Sequence, residues 1–290
     1  MGMRQIVIMV PEEFFKGIEA EMLSKAKEAR EVIIEAPKTE TPQMDMSISA
    51  LTAKREFAVR GKTFQVICNP EQWHPSWWSH CDEVETREAW WDIKEGDVVL
   101  DIGADYGSYT LPALAMGAAK VIAWSPPFKD PAPVEAYTIK MSAWENGFED
   151  RLVVMDDGLW SARGWLASMD GPRPPRLFPT RDEAKAAIAG QPGYCTAFPV
   201  RTVDEIGIIK ELSRVDWMKL DTEGCEVEIL TGAIETIKKH RPKIMTENHY
   251  HIAADIEART DALILGLGLG YIKVGTRPHH SISHSLYVVE

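Results

Sequence analysis

Between Val98 and Thr246 short apolar runs alternate with stretches whose apolar positions recur at helical spacing. Val98–Asp101, Val121–Trp124, Leu152–Met155, Val215–Leu220 and Lys243–Thr246 read as strands too apolar to have a solvated face. Helical segments are predicted between them. One spans Ser108–Met116, with Pro112 tolerated near its start. Another carries Val134, Tyr137, Met141 and Trp144 on one stripe and ends near Gly147, and a third runs from about Cys225 to Lys239. Strand–helix alternation of this kind predicts a mainly parallel sheet covered on both faces. The last two β-rich runs, Gly270–Gly275 and Ser285–Glu290, are predicted to pair antiparallel as a hairpin at the sheet edge, joined by a polar loop containing His279, His280 and His284.

Other regions break the alternation. Gln5–Val10 reads as a strand, Glu12–Ile34 as a charged amphipathic helix, and Glu35–Met46, with Pro37 and Pro42, as a linker. Residues 1–46 are therefore expected to be an appendage, a cap or a dimerisation arm on a domain spanning 47–290, which leaves a homo-oligomer open. Glu56–Ile67 alternates around Arg60-Gly61-Lys62 and predicts a hairpin. Five of ten tryptophans fall between Trp73 and Trp91, where they either line a substrate mouth or pack beneath the sheet. The proline-rich stretch of about 161–194 has a short alanine-rich helix near Ala184–Ala189 and is expected to be a lid or a disordered insertion. Gly266, Gly268 and Gly270 mimic a phosphate-binding pattern, but they follow a helix and precede a strand, so helix termination explains them better.

Composition narrows the partners. With 45% hydrophobic and 26% charged residues among 290, the chain can bury an ordinary core. A net charge of -12 without a long Lys/Arg cluster argues against binding a nucleic-acid backbone. Cys68, Cys81, Cys195 and Cys225 show no metal-ligand spacing, and free thiols suit a reducing compartment. The apolar run Ile6–Val10 is too short for a signal peptide or a membrane span, and Ile6 does not fit a myristoylation signal. A cytoplasmic protein with no membrane partner is expected.

Two motifs carry the chemistry. Val98–Thr110 reads VVLDIGADYGSYT, a strand running into the pattern D-x-G-x-x-x-G. A dinucleotide fingerprint is G-x-G-x-x-G; with the acid before the first glycine, the order resembles motif I of class I S-adenosylmethionine methyltransferases. Val215–Ala233 reads VDWMKLDTEGCEVEILTGA and resembles the K-x-D-x-E-G-x-E motif of the FkbM methyltransferases, with that family's following Leu-x-Gly-Ala helix. Arg201–Ile206 and Arg241–Glu247 look like its T-L-D-x-L and K-P-x-x-x-x-E stretches, so the similarity runs from about Glu85 to Glu290. The resemblance implies an α/β, Rossmann-like class I methyltransferase fold, S-adenosylmethionine as cofactor, and transfer to a hydroxyl of a small-molecule or glycan acceptor.

It also implies roles. Asp101, Gly103, Asp105, Tyr106 and Gly107 form the turn expected to hold the methionine end: the glycines allow close backbone approach and the acids face the cationic amino group. A side chain at Gly103 should block binding and leave the chain folded. Where the family usually has Ala-Phe-Glu-Pro, with the Glu on the ribose hydroxyls, Ala123–Pro127 reads AWSPP. Ser125 cannot grip two hydroxyls as a carboxylate does, so Asp130 or Glu135 is left to reach in, or binding is weakened or lost. Asp156 and Asp157 stand where this fold commonly contacts adenine, or are ordinary solvated acids, and Trp160 either covers the adenine face or packs in the core.

Asp221, at the fourth strand's end, shares a sheet edge with Asp101, where ligands of open α/β sheets bind. Either it caps the next helix, with Glu223 and Glu226 on a solvated face, or these acids serve catalysis. Asp221 with Glu247 and Asn248 resembles the oxygen ligands of magnesium-dependent catechol-type methyltransferases, although the sequence by itself assigns no metal site. Asp221, Glu223, His249 and His251 are candidates for removing the acceptor's proton. The rival expectation is a chain that keeps the fold but has lost turnover and acts as a binding or scaffold protein.

Overall fold

The computed structural model describes residues 53–68, 81–126, 134–169, 175–191, 195–279 and 282–290. The predicted N-terminal strand, helix and linker, Trp73, Trp77, Trp78, Asp130 and His280 lie outside the described residues. A hairpin, β1 (Ala53–Val59) and β2 (Lys62–Cys68), precedes helix α1 (Cys81–Trp90). Arg60 and Gly61, alone between the paired Val59 and Lys62, both have positive φ, as a two-residue type I′ turn requires. Then come β3 (Val98–Ile102), α2 (Thr110–Ala115), β4 (Lys120–Trp124), α3 (Val134–Glu145) and β5 (Leu152–Met155). Four short strands follow, β6 (Gly158–Leu159), β7 (Gly164–Met169), β8 (Arg176–Phe178) and β9 (Cys195–Arg201), with α4 (Arg181–Ile188) before β9. The chain closes with α5 (Gly207–Glu211), β10 (Trp217–Leu220), α6 (Glu226–Thr231), α7 (Ile234–His240), β11 (Lys243–His249), α8 (Ile256–Gly266), β12 (Tyr271–His279) and β13 (Ile282–Val289).

The main sheet has seven strands in the order β12-β13-β11-β10-β3-β4-β5. The five from β11 to β5 are parallel, and β13 runs antiparallel to both neighbours. Leu100, Ile122, Met218 and Ile244 enter one core with Ile229, Ile237 and Ile264 of the helices α6, α7 and α8. Their strand neighbours Val99, Val121, Trp217 and Met245 enter the other, with Leu111 of α2 and Phe64 and Val66 of the hairpin. Side chains alternate across a strand, so covering both faces demands the continuous apolar runs seen in the sequence. Trp91 decides the tryptophan question for its own position: it is fully buried, edge-on to Tyr109 and Trp217 at 5.2 and 5.0 Å.

Three expectations change. The predicted third helix is two. The break falls at Gly232, where only glycine fits, since a Cβ would stand 2.2 Å from the Trp160 carbonyl oxygen. Asp204, distant in sequence, starts α7 by accepting from the backbone amides of Glu235 and Thr236 at 2.9 and 2.8 Å. The proline-rich insertion is not only loop: β7 and β8 pair antiparallel, and β9 joins β7 to β6 in a second, four-stranded sheet. The terminal strands are longer than predicted. They absorb His279 and His284, and β13 lies inside the sheet between β11 and β12. Among the described residues no helix is long and apolar enough to cross a membrane.

Candidate active site

The carboxyl ends of β3 and β10 meet directly. Asp221 N–H donates to the Ile102 carbonyl at 2.9 Å, and a Cβ on Gly103 would stand 1.7 Å from the Asp221 carbonyl oxygen. Gly103, at φ +79°, is thus required by the chain's own packing. The expected tolerance of a side chain there is corrected: substitution must push the two strand ends apart. Each turn also holds an acid in the left-handed region, Asp105 at φ 46° and Glu223 at φ 53°, a conformation that concentrates at functional sites.

Lys219 joins the two motifs. Its fully buried ammonium donates to the Gly103 carbonyl at 3.0 Å and to Asp221 Oδ2 at 3.1 Å. It lies 3.7 Å from Asp101 Oδ1 and 4.8 Å above the Tyr109 ring. Burial alone would lower its pKa, but the charges of Asp221, Asp101 and Glu247 prevail and hold the ammonium protonated. The motifs alone assign Lys219 no role, although a lysine inside the apolar strand Trp217–Leu220 is itself a signal. Asp101 is fully buried and accepts from Thr110 Oγ1 at 2.5 Å, so it braces the turn from within.

Asp105 is the outward acid of that turn and makes no ion pair with a described residue. It is exposed at the turn, yet neighbouring protein desolvates its carboxyl. That desolvation, then the negative charges of Glu135 and Asp221, push its carboxyl up to about 7. Glu135, in the first turn of α3, also acts on half-buried Tyr106, whose hydroxyl burial and then Glu135 push up. Gly107 packs against Ile139 and Leu111. Ser125 is buried at the end of β4, its amide donating to the Met155 carbonyl at 3.1 Å. Asp156 is exposed after β5; Asp157 is instead ion-paired with Arg201, and Trp160 packs against the core.

Beyond β10 and β11 lies a cluster centred on His249, which is buried. Its Nδ1 is 3.1 Å from Glu226 Oε1, and its Nε2 faces Asp221 Oδ1, Glu247 Oε1 and Glu223 Oε2 at 3.6, 3.5 and 3.7 Å. Burial lowers the imidazole's pKa, but the Glu226 hydrogen bond and the surrounding carboxylates lift it to about 10. Asp221 is held ionised, since Lys219 and His249 overcome its desolvation, whereas burial raises Glu223. Glu226 is fully buried, not on a solvated face; its Oε1 also accepts from the amides of Thr222 and Gly224 at 3.1 and 3.3 Å. His251, half-exposed, lies 3.8 Å from Glu223 Oε2. His284, expected in a polar loop, lies in a strand instead. It is buried in β13 opposite Glu247, its Nε2 3.1 Å from Glu247 Oε2. Asn248 turns away, because strand alternation places it on the other face, where it donates to Ser283 and Ser285 at 3.1 Å each.

Comparison with known proteins places this site in a wider context. Residues 161–272 match the family described as Methyltransferase FkbM domain. Over that segment the chain is similar to the FkbM methyltransferases. The match takes in three of the second sheet's four strands and Asp221, Glu247 and His249, and it leaves out the glycine turn at 103–107 and His284. A solved structure of a Methyltransferase FkbM from Methylobacillus flagellatus KT is similar in fold, with 17% identity and a TM-score of 0.50. That similarity covers 69% of this chain and 46% of the other, so the chain spans about half that protein's length. An O-methyltransferase from Bacillus cereus, in complex with SAH, aligns over 76% of this chain and 84% of its own at 11% identity and a TM-score of 0.40. No curated protein sequence matches.

Proposed function

We propose that this chain transfers a methyl group from S-adenosylmethionine to a hydroxyl oxygen of a small-molecule or glycan acceptor. The observation that carries this reading is Lys219, which binds the glycine turn and the K-x-D-x-E-G turn into one edge, with acids displayed on both sides of it. When bound, the cofactor supplies an activated methyl group. The chain's own work is alignment and proton handling.

The residues fit that cofactor at one end clearly. Asp105, exposed and without an ion pair to any described residue, suits its cationic amino group. Ser125 would offer the ribose one hydrogen bond, and Glu135, whose charge already reaches Asp105, would supply the missing carboxylate. Asp156 is free to meet the adenine amine, whereas Asp157 is engaged by Arg201. On the acceptor side Glu223 has the most exposed side chain of the four candidate acids and bases, ahead of His251, which makes it the best-placed proton acceptor. Asp221 orients through Lys219, and His249 is too enclosed to meet a substrate proton. Buried free thiols at Cys68 and Cys225 support a reducing, cytoplasmic setting.

Calorimetric titration with S-adenosylhomocysteine tests the reading. Binding should strengthen as pH rises through about 7, because Asp105 must be ionised to hold the amino group. Asp105→Asn should weaken binding by about tenfold and flatten that dependence. A chain that bound none at any pH would leave the scaffold reading standing.

A further inference from the structure

The cluster beyond β11 differs from ordinary buried ion pairs in its spacing. The distances from His249 Nε2 to Asp221 Oδ1 and Glu247 Oε1, 3.6 and 3.5 Å, are beyond good hydrogen bonds. All three ligand atoms nonetheless converge within 4.8 Å of one another. Around a divalent ion with bonds of ~2.1 Å, neighbouring ligand atoms stand about 3.0–3.5 Å apart. The two separations from His249 Nε2, 3.6 and 3.5 Å, are close to that size.

The surroundings favour the same conclusion. Glu226 holds His249 by Nδ1, which leaves Nε2 directed at the two carboxylates, the orientation a carboxylate imposes on a metal-binding histidine. Lys219 occupies Asp221 Oδ2 and leaves Oδ1 on the cluster side. A separate observation comes from β13. His284, buried to all but 2%, aims Nε2 at Glu247 Oε2, but off hydrogen-bond geometry, so both buried atoms lack a hydrogen bond. Unsatisfied buried polar atoms of this kind are rare in a finished core.

We propose that Asp221, Glu247 and His249 form a divalent-cation site, with Glu226 orienting the histidine and His284 steadying Glu247. Asn248, the third residue of the oxygen-only set suggested by sequence, is replaced by an imidazole. Two carboxylates and one imidazole favour a first-row ion such as Mn²⁺ over Mg²⁺. Three protein ligands leave coordination positions open at the sheet edge. Resting on the methyltransferase reading, the site would take the acceptor hydroxyl, lower its pKa, and pass its proton to Glu223. The acceptor class is then a compound with a metal-binding hydroxyl, such as a diol or a hydroxy-carbonyl.

The test is titration of the full chain, first stripped with chelator, with Mn²⁺ alone, followed by calorimetry and by the rise in melting temperature. One ion per chain is expected. Asp221→Asn, at a partly exposed position, should weaken binding at least ~100-fold, and Glu226→Gln about 10–100-fold, as loss of an orienting partner does. His284→Asn should weaken it less. If Asp221→Asn failed to fold, Glu226→Gln alone would decide. No Mn²⁺ binding at millimolar concentration, or equal binding by wild type and Glu226→Gln, would overturn the site and leave His249 as the cluster's internal cation. S-adenosylhomocysteine binding measured in chelator tests the methyltransferase reading separately.

Discussion

Strand β11 has two polar faces that are built on opposite principles. On one, Asn248 accepts from Thr246 and donates to Ser283 and Ser285, while Tyr250, Thr276 and Lys273 converge on Glu257. Lys273 also reaches Asp261, which accepts from Tyr287 at 2.7 Å. On the other face Glu247, His249 and His284 sit among more carboxylates than they can pair, with Glu247 Oε2, Glu226 Oε2 and His284 Nε2 left without hydrogen bonds. The first face joins β12, β13 and α8 to the sheet. The second is costly to bury and contributes little to that joining, which marks it as retained for function.

The largest expected effect strikes the satisfied face. Burial raises Glu257, but hydrogen bonds from Lys273, Tyr250 and Thr276 prevail and bring its carboxyl down to about 2. A carboxyl depressed in the folded state contributes stability that is complete above its unfolded value, about 4.5, and is lost as pH falls toward about 2. The full shift corresponds to roughly 3 kcal/mol. Denaturant melts of wild type and Glu257→Gln across that window should converge as pH falls; parallel curves would show that Glu257 is not the group concerned. Next in size is Asn248→Ala, which removes three hydrogen bonds and opens a small void. A loss of about 2–3 kcal/mol is expected, with S-adenosylhomocysteine affinity unchanged. A large fall in that affinity would place Asn248 in the site after all.

The legibility of these regions in the sequence follows the same division. The parallel sheet was readable because double-sided burial forces unbroken apolar runs, as at Val98–Leu100 and Val121–Trp124. The two turns were readable because their acids and glycines are close in sequence. Contacts made only by the fold were not: Asp204 capping α7 from 31 residues away, Gly232 pressed on Trp160, and His284 brought to Glu247 by β13. Strand parity separates His249 from Asn248 because β11 runs past Thr246 to His249. The positive φ of Asp105 and Glu223 gave no sequence signal, since neither is a glycine.

The smallest expected effect is the sharpest discriminator. Glu247 is buried like Asn248 and one residue away, so a purely structural account predicts similar losses when each is altered. Its environment predicts otherwise. Glu247→Gln keeps the shape and removes a charge that faces Asp221 and Glu226 across His249, whose other nitrogen remains held by Glu226. The lost attractions to His249 and Lys219 and the relieved repulsion from Asp221 and Glu226 oppose each other, and Oε2 had no hydrogen bond to lose. The change in unfolding free energy should stay within about 1 kcal/mol. Added Mn²⁺ should then raise the melting temperature of wild type and leave the variant unmoved. A loss of 2 kcal/mol or more without metal would make Glu247 a structural residue of the same kind as Asn248, and the contrast between the two faces would fail.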